Sequence, residues 1–384
     1  MDFGLAPEQG EIQALAREFA DAEIAPWAAG WDREHRFPHE VVAKLGELGL
    51  MGICVPEELG GAGADFISYV LALEELSRAD AGIGVTVAVH TSAATLPIVR
   101  FGSDEQRAEL VPPLARGERV GAFALTEPEA GSDARSLRAR ADRVGDGWRL
   151  TGRKQWITNA SLGGIALVFA RGDAGISCFL VDLAADEVGL TGEHRKLGLR
   201  SSTTGDLVLD GVRLPAGRLL GDDGKGFRIA MATLDGGRIG IAAQAVGIAR
   251  AAFETARAYA LERRQFGRRI AEFGAIQAKL ADMATEIDAA RFLTLHAAWL
   301  RDQALPHAEA GAKAKLFASA VARRATGEAI QVLGGYGYTK EFPAERYYRD
   351  AKVTEIYEGT SEIQRLVVAR SLLGLVERAV PAAA

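Results

Sequence analysis

Two cysteines, one asparagine and four methionines are all that 384 residues carry of three thermolabile residue types. The pair Cys54 and Cys178 is too few for a disulfide framework or a multi-cysteine metal site, which fits a reducing compartment. Scarce asparagine beside abundant alanine, glycine, arginine and glutamate is the bias of chains that avoid heat-sensitive residues, and equally of a G+C-rich genome. The six histidines are scattered: His35 and His39 have the i,i+4 spacing of a helical metal pair, but Pro38 between them breaks such a helix. No uninterrupted apolar run approaches the ~20 residues of a membrane span, and the opening Met1-Asp2-Phe3 is acidic where a signal peptide is basic. No membrane insertion and a cytoplasmic location are the expectations. A net charge of −6 gives no general attraction for nucleic acid, so a polyanionic ligand must be met by local arginine or lysine.

The usual nucleotide motifs are missing too. Gly335-Tyr336-Gly337 lacks the third glycine of a Rossmann turn and follows a helical pattern, and Gly224-Lys225 is followed by Gly226 where a P-loop needs Ser or Thr. No nucleophile elbow surrounds any serine. A carboxylate remains as the candidate base.

What is present is ordinary globular composition, 48% hydrophobic and 25% charged, in a chain long enough for two or three domains. Residues 1–120 read as a helical domain: Ile12, Leu15, Ala16 and Phe19 fall at helical spacing, Val41 to Leu50 repeats it before Gly60-Gly61-Ala62-Gly63, and Leu71 to Leu76 and Asp104 to Leu114 continue it. Residues 121–225 change texture into short segments (Ile165 to Ala170, Ser177 to Val181, Asp206 to Leu209) separated by Gly, Asp and Pro, with Gly145-Asp146-Gly147 as a turn: a β domain. Residues 226–384 return to helix in long stretches, Ile239 to Arg263, Ala275 to Gln303 and Glu309 to Leu333, which predicts a bundle of antiparallel helices and an alanine-rich tail after Pro381 that frays.

One carboxylate has a distinctive setting. In Tyr357-Glu358-Gly359-Thr360-Ser361-Glu362-Ile363-Gln364, Ser361 and Gln364 stand at capping-box spacing, which predicts a helix beginning there and leaves Glu358 in the loop before it. Tyr357 and an apolar ligand there remove water from Glu358 and raise its pKa toward neutrality. The alternative is that Glu358 merely answers the helix dipole. A second segment, Phe123-Ala124-Leu125-Thr126-Glu127-Pro128-Glu129-Ala130-Gly131-Ser132-Asp133, is a short loop with hydroxyls suited to a planar ligand. In Lys154-Gln155-Trp156-Ile157-Thr158-Asn159, a large ring and a hydroxyl share a face if the segment is a strand, though Trp-x-Thr also serves plain packing.

In this order, with Arg263-Arg264-Gln265-Phe266-Gly267 and Gln331-Val332-Leu333-Gly334-Gly335-Tyr336-Gly337 in between, the segments resemble the flavin-dependent acyl-CoA dehydrogenase family over nearly the whole chain. The resemblance implies an α+β multidomain fold: an N-terminal α-helical domain, a middle β-barrel domain and a C-terminal four-helix bundle. It implies FAD as cofactor, and oxidation of a saturated acyl-CoA to a trans-2-enoyl-CoA in fatty acid β-oxidation. Glu358 takes the pro-R α-proton, the β-hydrogen leaves as hydride to flavin N5, and electrons pass to an electron-transfer flavoprotein. Some members carry the base at the place of Gly237, where glycine cannot serve. Phe123, Leu125, Thr126 and Ser132 border the flavin ring, and Trp156 and Thr158 cover its other side. Arg263, Phe266, Gln331 and Gly335 reach the ADP half of a neighbouring subunit's FAD, while Thr360 and Glu362 bind from the loop of the base, so a homo-oligomer, a tetramer, is implied. Ser132, Asp235, Arg238, Tyr357 and Gly359 match contacts to acyl-CoA, and backbone groups near Glu358 polarise the thioester. Arg238 has a second reading as a helix-surface ion pair with Asp235.

Gly274 stands where the family often has Gln, so one contact to FAD is missing or replaced there, while Gln277 is retained. The Leu234 to Ala242 segment and Glu362 look most like the short-chain or butyryl type. The small residues of His90-Thr91-Ser92-Ala93-Ala94-Thr95-Leu96, near the acyl tail by analogy, leave room for longer or branched chains. Rival readings are a flavin oxidase or hydroxylase on the same fold, and a catalytically silent FAD- or acyl-CoA-binding scaffold.

Overall fold

The computed structural model describes residues 4–185 and 187–375; the opening Met1-Asp2-Phe3 and the tail after Pro381 lie outside the described residues. Seven helices come first: α1 (Pro7–Phe19), α2 (Ala28–Glu34), α3 (His39–Glu47), α4 (Phe66–Ala79), α5 (Ala81–Ala88), α6 (Leu96–Phe101) and α7 (Asp104–Ala115). The predicted Val41 to Leu50 helix stops early, at Glu47, because the chain turns at Gly49 with φ +75°. Asp65 caps α4 from its own side, accepting from Ser68 N at 2.7 Å. Asp302, far along the chain, accepts from Phe66 N and Ile67 N at 2.7 and 3.1 Å. Three of the four orphan donors of α4 are thereby satisfied, one by its own cap and two by the C-terminal region.

The stretch Ala81–Phe101 passes through α5, a π-helical segment Val89–Thr95 and α6, and its 21 residues are long and apolar enough to cross a membrane by length and composition. Its best window is 89% buried inside the protein, the setting of a core helix. His90 within it accepts from Gly121 N at Nδ1 (2.9 Å) and faces Met51 O at 3.2 Å through Nε2, and burial holds its pKa down to about 4. It is a neutral structural histidine, and its segment is wholly buried.

The middle region is a sheet with hydrogen-bonded path β6 (Val188–Thr191), β7 (Thr204–Leu214), β3 (Gly147–Thr158), β2 (Arg140–Val144), β4 (Ile165–Gly172), β5 (Gly175–Asp182) and β8 (Leu219–Leu220), with β1 (Gly121–Ala124) parallel to β4. Period-two alternation divides the packing. Ile165, Leu167 and Phe169 of β4 join Leu110, Leu114 and Leu125 on one face, while Ala166, Val168 and Ala170 join Trp148, Phe179 and Val181 on the other. Asn159, the one asparagine, follows β3 in a left-handed conformation (φ +66°), and its Nδ2 donates to Thr86 O and Gly121 O at 3.1 and 3.0 Å, tying α5 to the start of the sheet.

The C-terminal part contains α8 (Gly226–Glu262), a two-strand ribbon of β9 (Arg264–Gln265) and β10 (Arg268–Arg269), α9 (Gly274–Asp302), α10 (Ala308–Leu333), α11 (Ala344–Val353) and α12 (Ser361–Leu372). From Gly236 to Ala249 the 37-residue α8 is buried on all sides at the centre of the molecule, with Arg238 and Gln244 as the polar side chains within that span. The expected helical, sheet and helical order is therefore the observed one, and α8 is the element on which the site is built.

Candidate active site

Glu358 lies between α11 and α12 and adopts φ +52°, followed by Gly359 at φ +86°. Left-handed backbone is uncommon for glutamate and needs support from its surroundings. Lys315 of α10 donates from Nζ to Tyr357 O (2.7 Å) and Gly359 O (2.5 Å), the carbonyls on either side of Glu358. Gln364 of α12 donates from Nε2 to Glu358 O (3.2 Å) and Gly359 O (2.8 Å), and Ser319 of α10 donates to Thr354 O at 2.8 Å. The capping box read from Ser361 and Gln364 is not formed. Thr360 is the N-cap of α12, accepting from Ile363 N at 3.3 Å, because the turn at Gly359 starts the helix one residue early and the Gln364 amide is committed to the two carbonyls.

The Glu358 carboxylate lies over α8. Its Oε2 is buried and has no hydrogen-bond partner among the described residues. An ideal Cβ on Gly237 would stand 2.5 Å from that oxygen, so only glycine leaves the carboxylate its space. Burial pushes the Glu358 carboxyl above the usual range, against the opposing pull of Lys315 and Arg238. Arg238 is buried, pairs with Asp235 at 2.5 Å, and has an Nε without a partner among the described residues. The ion-pair reading of Arg238 is thus realised, but in a buried setting close enough to Glu358 to act on its charge. Burial also raises Asp235, with Arg238 opposing. Tyr357 completes the loop by donating its hydroxyl to Gln244 of α8, which itself donates to Ala81 O at 2.8 Å.

The second constellation is on the sheet. Gln155 N donates to Thr126 O at 2.9 Å, so the Leu125-Thr126 segment and the Trp156 segment run side by side. Lys154 fixes this joint: wholly buried, it donates to Leu125 O (3.1 Å) and Glu127 (2.7 Å), and Glu127 accepts from Arg138 N and Ala139 N at 2.6 and 3.0 Å. Phe123 is half-buried against Phe169, their ring centroids 5.1 Å apart, while Ser132 sits exposed on the loop. Trp156 does not continue a regular strand. A bulge between Lys154 and Ile157 puts it at φ +62° and leaves the residue 55% exposed, with Thr158 two residues on and half-buried. Asp206 holds the bulge by accepting from Trp156 N (3.3 Å) and Arg153 (2.6 Å), and it also bonds His194 (2.7 Å), whose ring packs on Trp156 with centroids 4.1 Å apart.

The third constellation is at the far end of α8. Arg263 ends that helix with its guanidinium 5.6 Å from the Tyr336 ring centroid, beside a hollow of about 440 Å³ lined also by Gly334, Gly335 and Val332. Gln331 is exposed near the end of α10. Phe266 and Gly267 are the turn of the β9–β10 ribbon, both left-handed (φ +51° and +79°), and Phe266 is 93% exposed. Gly274 and Gln277 begin α9 beside it, Gln277 donating to Ala271 O at 3.0 Å. Thr360 and Glu362 belong instead to the Glu358 loop, Glu362 exposed in the first turn of α12.

Reading the residues did not single out Lys315, Gln364 as a clamp, Gln244, or the Glu127–Lys154 pair. A signal for the first was available: Lys315 lies on the stripe Ala312, Lys315, Ala318, Ser319, Ala322, a lysine on the apolar face of a helix.

Comparison with known proteins follows the same division. Residues 6–118, 122–212 and 224–373 match the models of the acyl-CoA dehydrogenase N-terminal, middle and C-terminal domains. The mitochondrial short-chain specific acyl-CoA dehydrogenase of Bos taurus is 50% identical over 367 residues, 94% of this chain and 89% of that protein. The structure of butyryl-CoA dehydrogenase from Megasphaera elsdenii superposes with TM-score 0.96 at 42% identity, covering 97% of this chain and all (100%) of that one. A chain solved in work on the electron transferring flavoprotein of Acidaminococcus fermentans and flavin-based electron bifurcation gives TM-score 0.96 at 46% identity, over 97% and 100% of the two chains. The chain belongs to the acyl-CoA dehydrogenase family.

Proposed function

We propose that this protein is an oxidoreductase that uses FAD to convert a saturated short-chain acyl-CoA to its trans-2-enoyl-CoA and passes the electrons to an electron-transfer flavoprotein. The observation that carries the reading is the Glu358 carboxylate, buried, raised in pKa, and with an oxygen that has no hydrogen-bond partner among the described residues. A base of this kind suits abstraction of the weakly acidic proton beside a thioester, because burial favours its protonated product state. The N–H of Glu358 has no acceptor among the described residues and is the donor we assign to the thioester oxygen, where enolate charge develops. Arg238 and Asp235 take the acyl-CoA beyond the thioester, with Ser132, Tyr357 and Gly359 as further contacts.

The residues present fit FAD. Trp156 offers an exposed indole beside Leu125 and Thr126, and Arg263, Tyr336 and the hollow between them offer a cation and a ring suited to the ADP half. A hydride acceptor for the β-hydrogen of the substrate is the chemistry that bound FAD would supply. Phe123, Leu125, Thr126, Ser132, Trp156 and Thr158 hold its ring system, with Thr360 and Glu362 from the Glu358 loop. Arg263, Phe266, Gln331 and Gly335 reach the ADP half held in another subunit, a reading supported by the exposure of Phe266 on a ribbon tip. The assembly is then a homotetramer, working in the cytoplasm in fatty acid β-oxidation.

The test is anaerobic addition of butyryl-, isovaleryl-, octanoyl- and palmitoyl-CoA to the purified yellow protein. Butyryl-CoA is expected to bleach the flavin fastest. A colourless preparation that takes up no added FAD, or a flavin bleached by none of the four, overturns the proposal.

A further inference from the structure

Lys315 of α10 is 1% exposed, yet carries an ammonium group into the protein interior, against the Tyr357–Gly359 loop, where solvent cannot stabilise it. Two of its three donors end on Tyr357 O and Gly359 O, at 2.7 and 2.5 Å. Those carbonyls belong to the peptide groups before and after the Glu358–Gly359 turn, and both turning toward one Nζ accompanies the left-handed φ values of +52° and +86°. One turn further along the same helix, Ser319 holds Thr354 O at 2.8 Å, so α10 grips both ends of the segment that presents the base. The charged groups around Lys315 are Glu358 and Glu355 in the loop, Glu362 on α12 and Arg238 on α8.

We propose that Lys315 is a positioning residue for Glu358, fixing the left-handed turn through Tyr357 O and Gly359 O and placing a positive charge near enough to the carboxylate to favour its ionised form. The inference rests on Glu358 being the base. The two effects share one atom, Nζ, and are separable by chemistry. Neutral donors or isosteres alter the charge, whereas arginine keeps it. Burial drives the lysine down to about 7, with Glu358 the foremost opposing influence, and burial raises the Glu358 carboxyl, with Lys315 the foremost opposing influence.

The experiment measures the rate of flavin bleaching by butyryl-CoA against pH for holoenzyme carrying Lys315→Met, Lys315→Gln or Lys315→Arg. With a neutral residue, the limb on which rate rises with pH should move up by about one unit or more, since an opposite charge at close range shifts a carboxylate by that much. The plateau rate should fall about tenfold or more as the loop loosens, with KM for butyryl-CoA little changed. Lys315→Arg should return the limb to the wild-type position. A folded, yellow Lys315→Met or Lys315→Gln enzyme with wild-type limb and plateau overturns the proposal. Should neither neutral variant fold, Lys315→Arg decides: a retained limb supports the role, and a limb displaced upward despite the retained charge refutes it. Glu358→Gln run in parallel separates the two levels. Bleaching by that variant defeats the assignment of the base itself, whereas an inert Glu358→Gln beside an unaltered Lys315→Met defeats only the role of Lys315.

Discussion

Gly237 and Glu358 occupy each other's space: a β-carbon on the glycine would come 2.5 Å from Oε2 and 3.2 Å from Cδ of the glutamate. The colliding atoms are the end of a flexible side chain, so a larger residue at 237 displaces the carboxylate rather than the helix. Gly237→Ala is therefore expected to fold and bind FAD with normal thermal stability, while its bleaching rate falls about 10- to 100-fold through misplacement of the base. A variant with unchanged rate shows that the carboxylate relocates when it works.

The same juxtaposition bears on exchange of the base. Glu358→Gln preserves the left-handed loop and the Thr360 cap, and should stay yellow and bind acyl-CoA while bleaching falls by about 10²-fold or more. In that background Gly237→Glu brings a carboxylate to the same spot from α8 and should recover a measurable part of the rate. Stopped-flow absorbance of the single and double variants decides both. In the wild type the raised pKa of Glu358 makes activity climb with pH as the carboxylate forms, beginning above the ordinary carboxylate range.

Arg263→Ala and Phe266→Ser address the far end of α8. Arg263 lies beside the hollow with Tyr336, and Phe266 protrudes from the ribbon tip without burial. Either change should loosen FAD and shift light scattering toward smaller species, with helical content unaltered. A monomer that keeps FAD tightly would contradict the shared-cofactor reading.

Stability has a pH signature of its own. Burial, then the neighbouring Asp80, pushes the Asp350 carboxyl up to about 7, while an unfolded aspartate titrates near 3.9. Between about pH 4 and 7 the folded chain holds a proton that the unfolded chain has lost, so this group's contribution declines as pH rises, by up to ~1.4 kcal/mol per unit. Asp350→Asn keeps an oxygen for Leu199 N, which Asp350 accepts at 2.6 Å, and removes the titration. The wild-type-minus-variant difference in stability should shrink from pH 4 to 7 in chemical denaturation, and a flat difference refutes the assignment.

Much of this architecture was legible from periodicity alone. The apolar helical pattern marks α9 and α10 nearly to both ends and α8 to its C-terminal end, whereas the first part of α8, from Gly226 to Arg238, lies ahead of the Ile239 to Arg263 stretch. What escaped were features decided by one atom meeting another across the fold. Thr360 and Ser361 are both good caps by type, and the choice fell to Thr360 because the Gln364 amide reaches back to Glu358 O and Gly359 O. The bulge at Trp156 depends on Asp206, 50 residues away, and the grip of Lys315 on carbonyls 42 and 44 residues distant has no local trace. The cap-type residues before α12 place Glu358 in a loop before a helix, but its left-handed backbone and its seat on Gly237 are tertiary facts.

Asn159 carries one more consequence, for the protein's ageing in storage. Side-chain amides of asparagine lose ammonia when the following backbone nitrogen swings onto them, a motion that needs a mobile, solvated chain. Here the only asparagine is fully buried, precedes Ala160 rather than glycine, and has its amide nitrogen bound to Thr86 O and Gly121 O. A molecule found with aspartate at that position has therefore opened the joint between α5 and the sheet at least once, and peptide mapping of Asn159 would serve as a cumulative record of unfolding rather than as a clock.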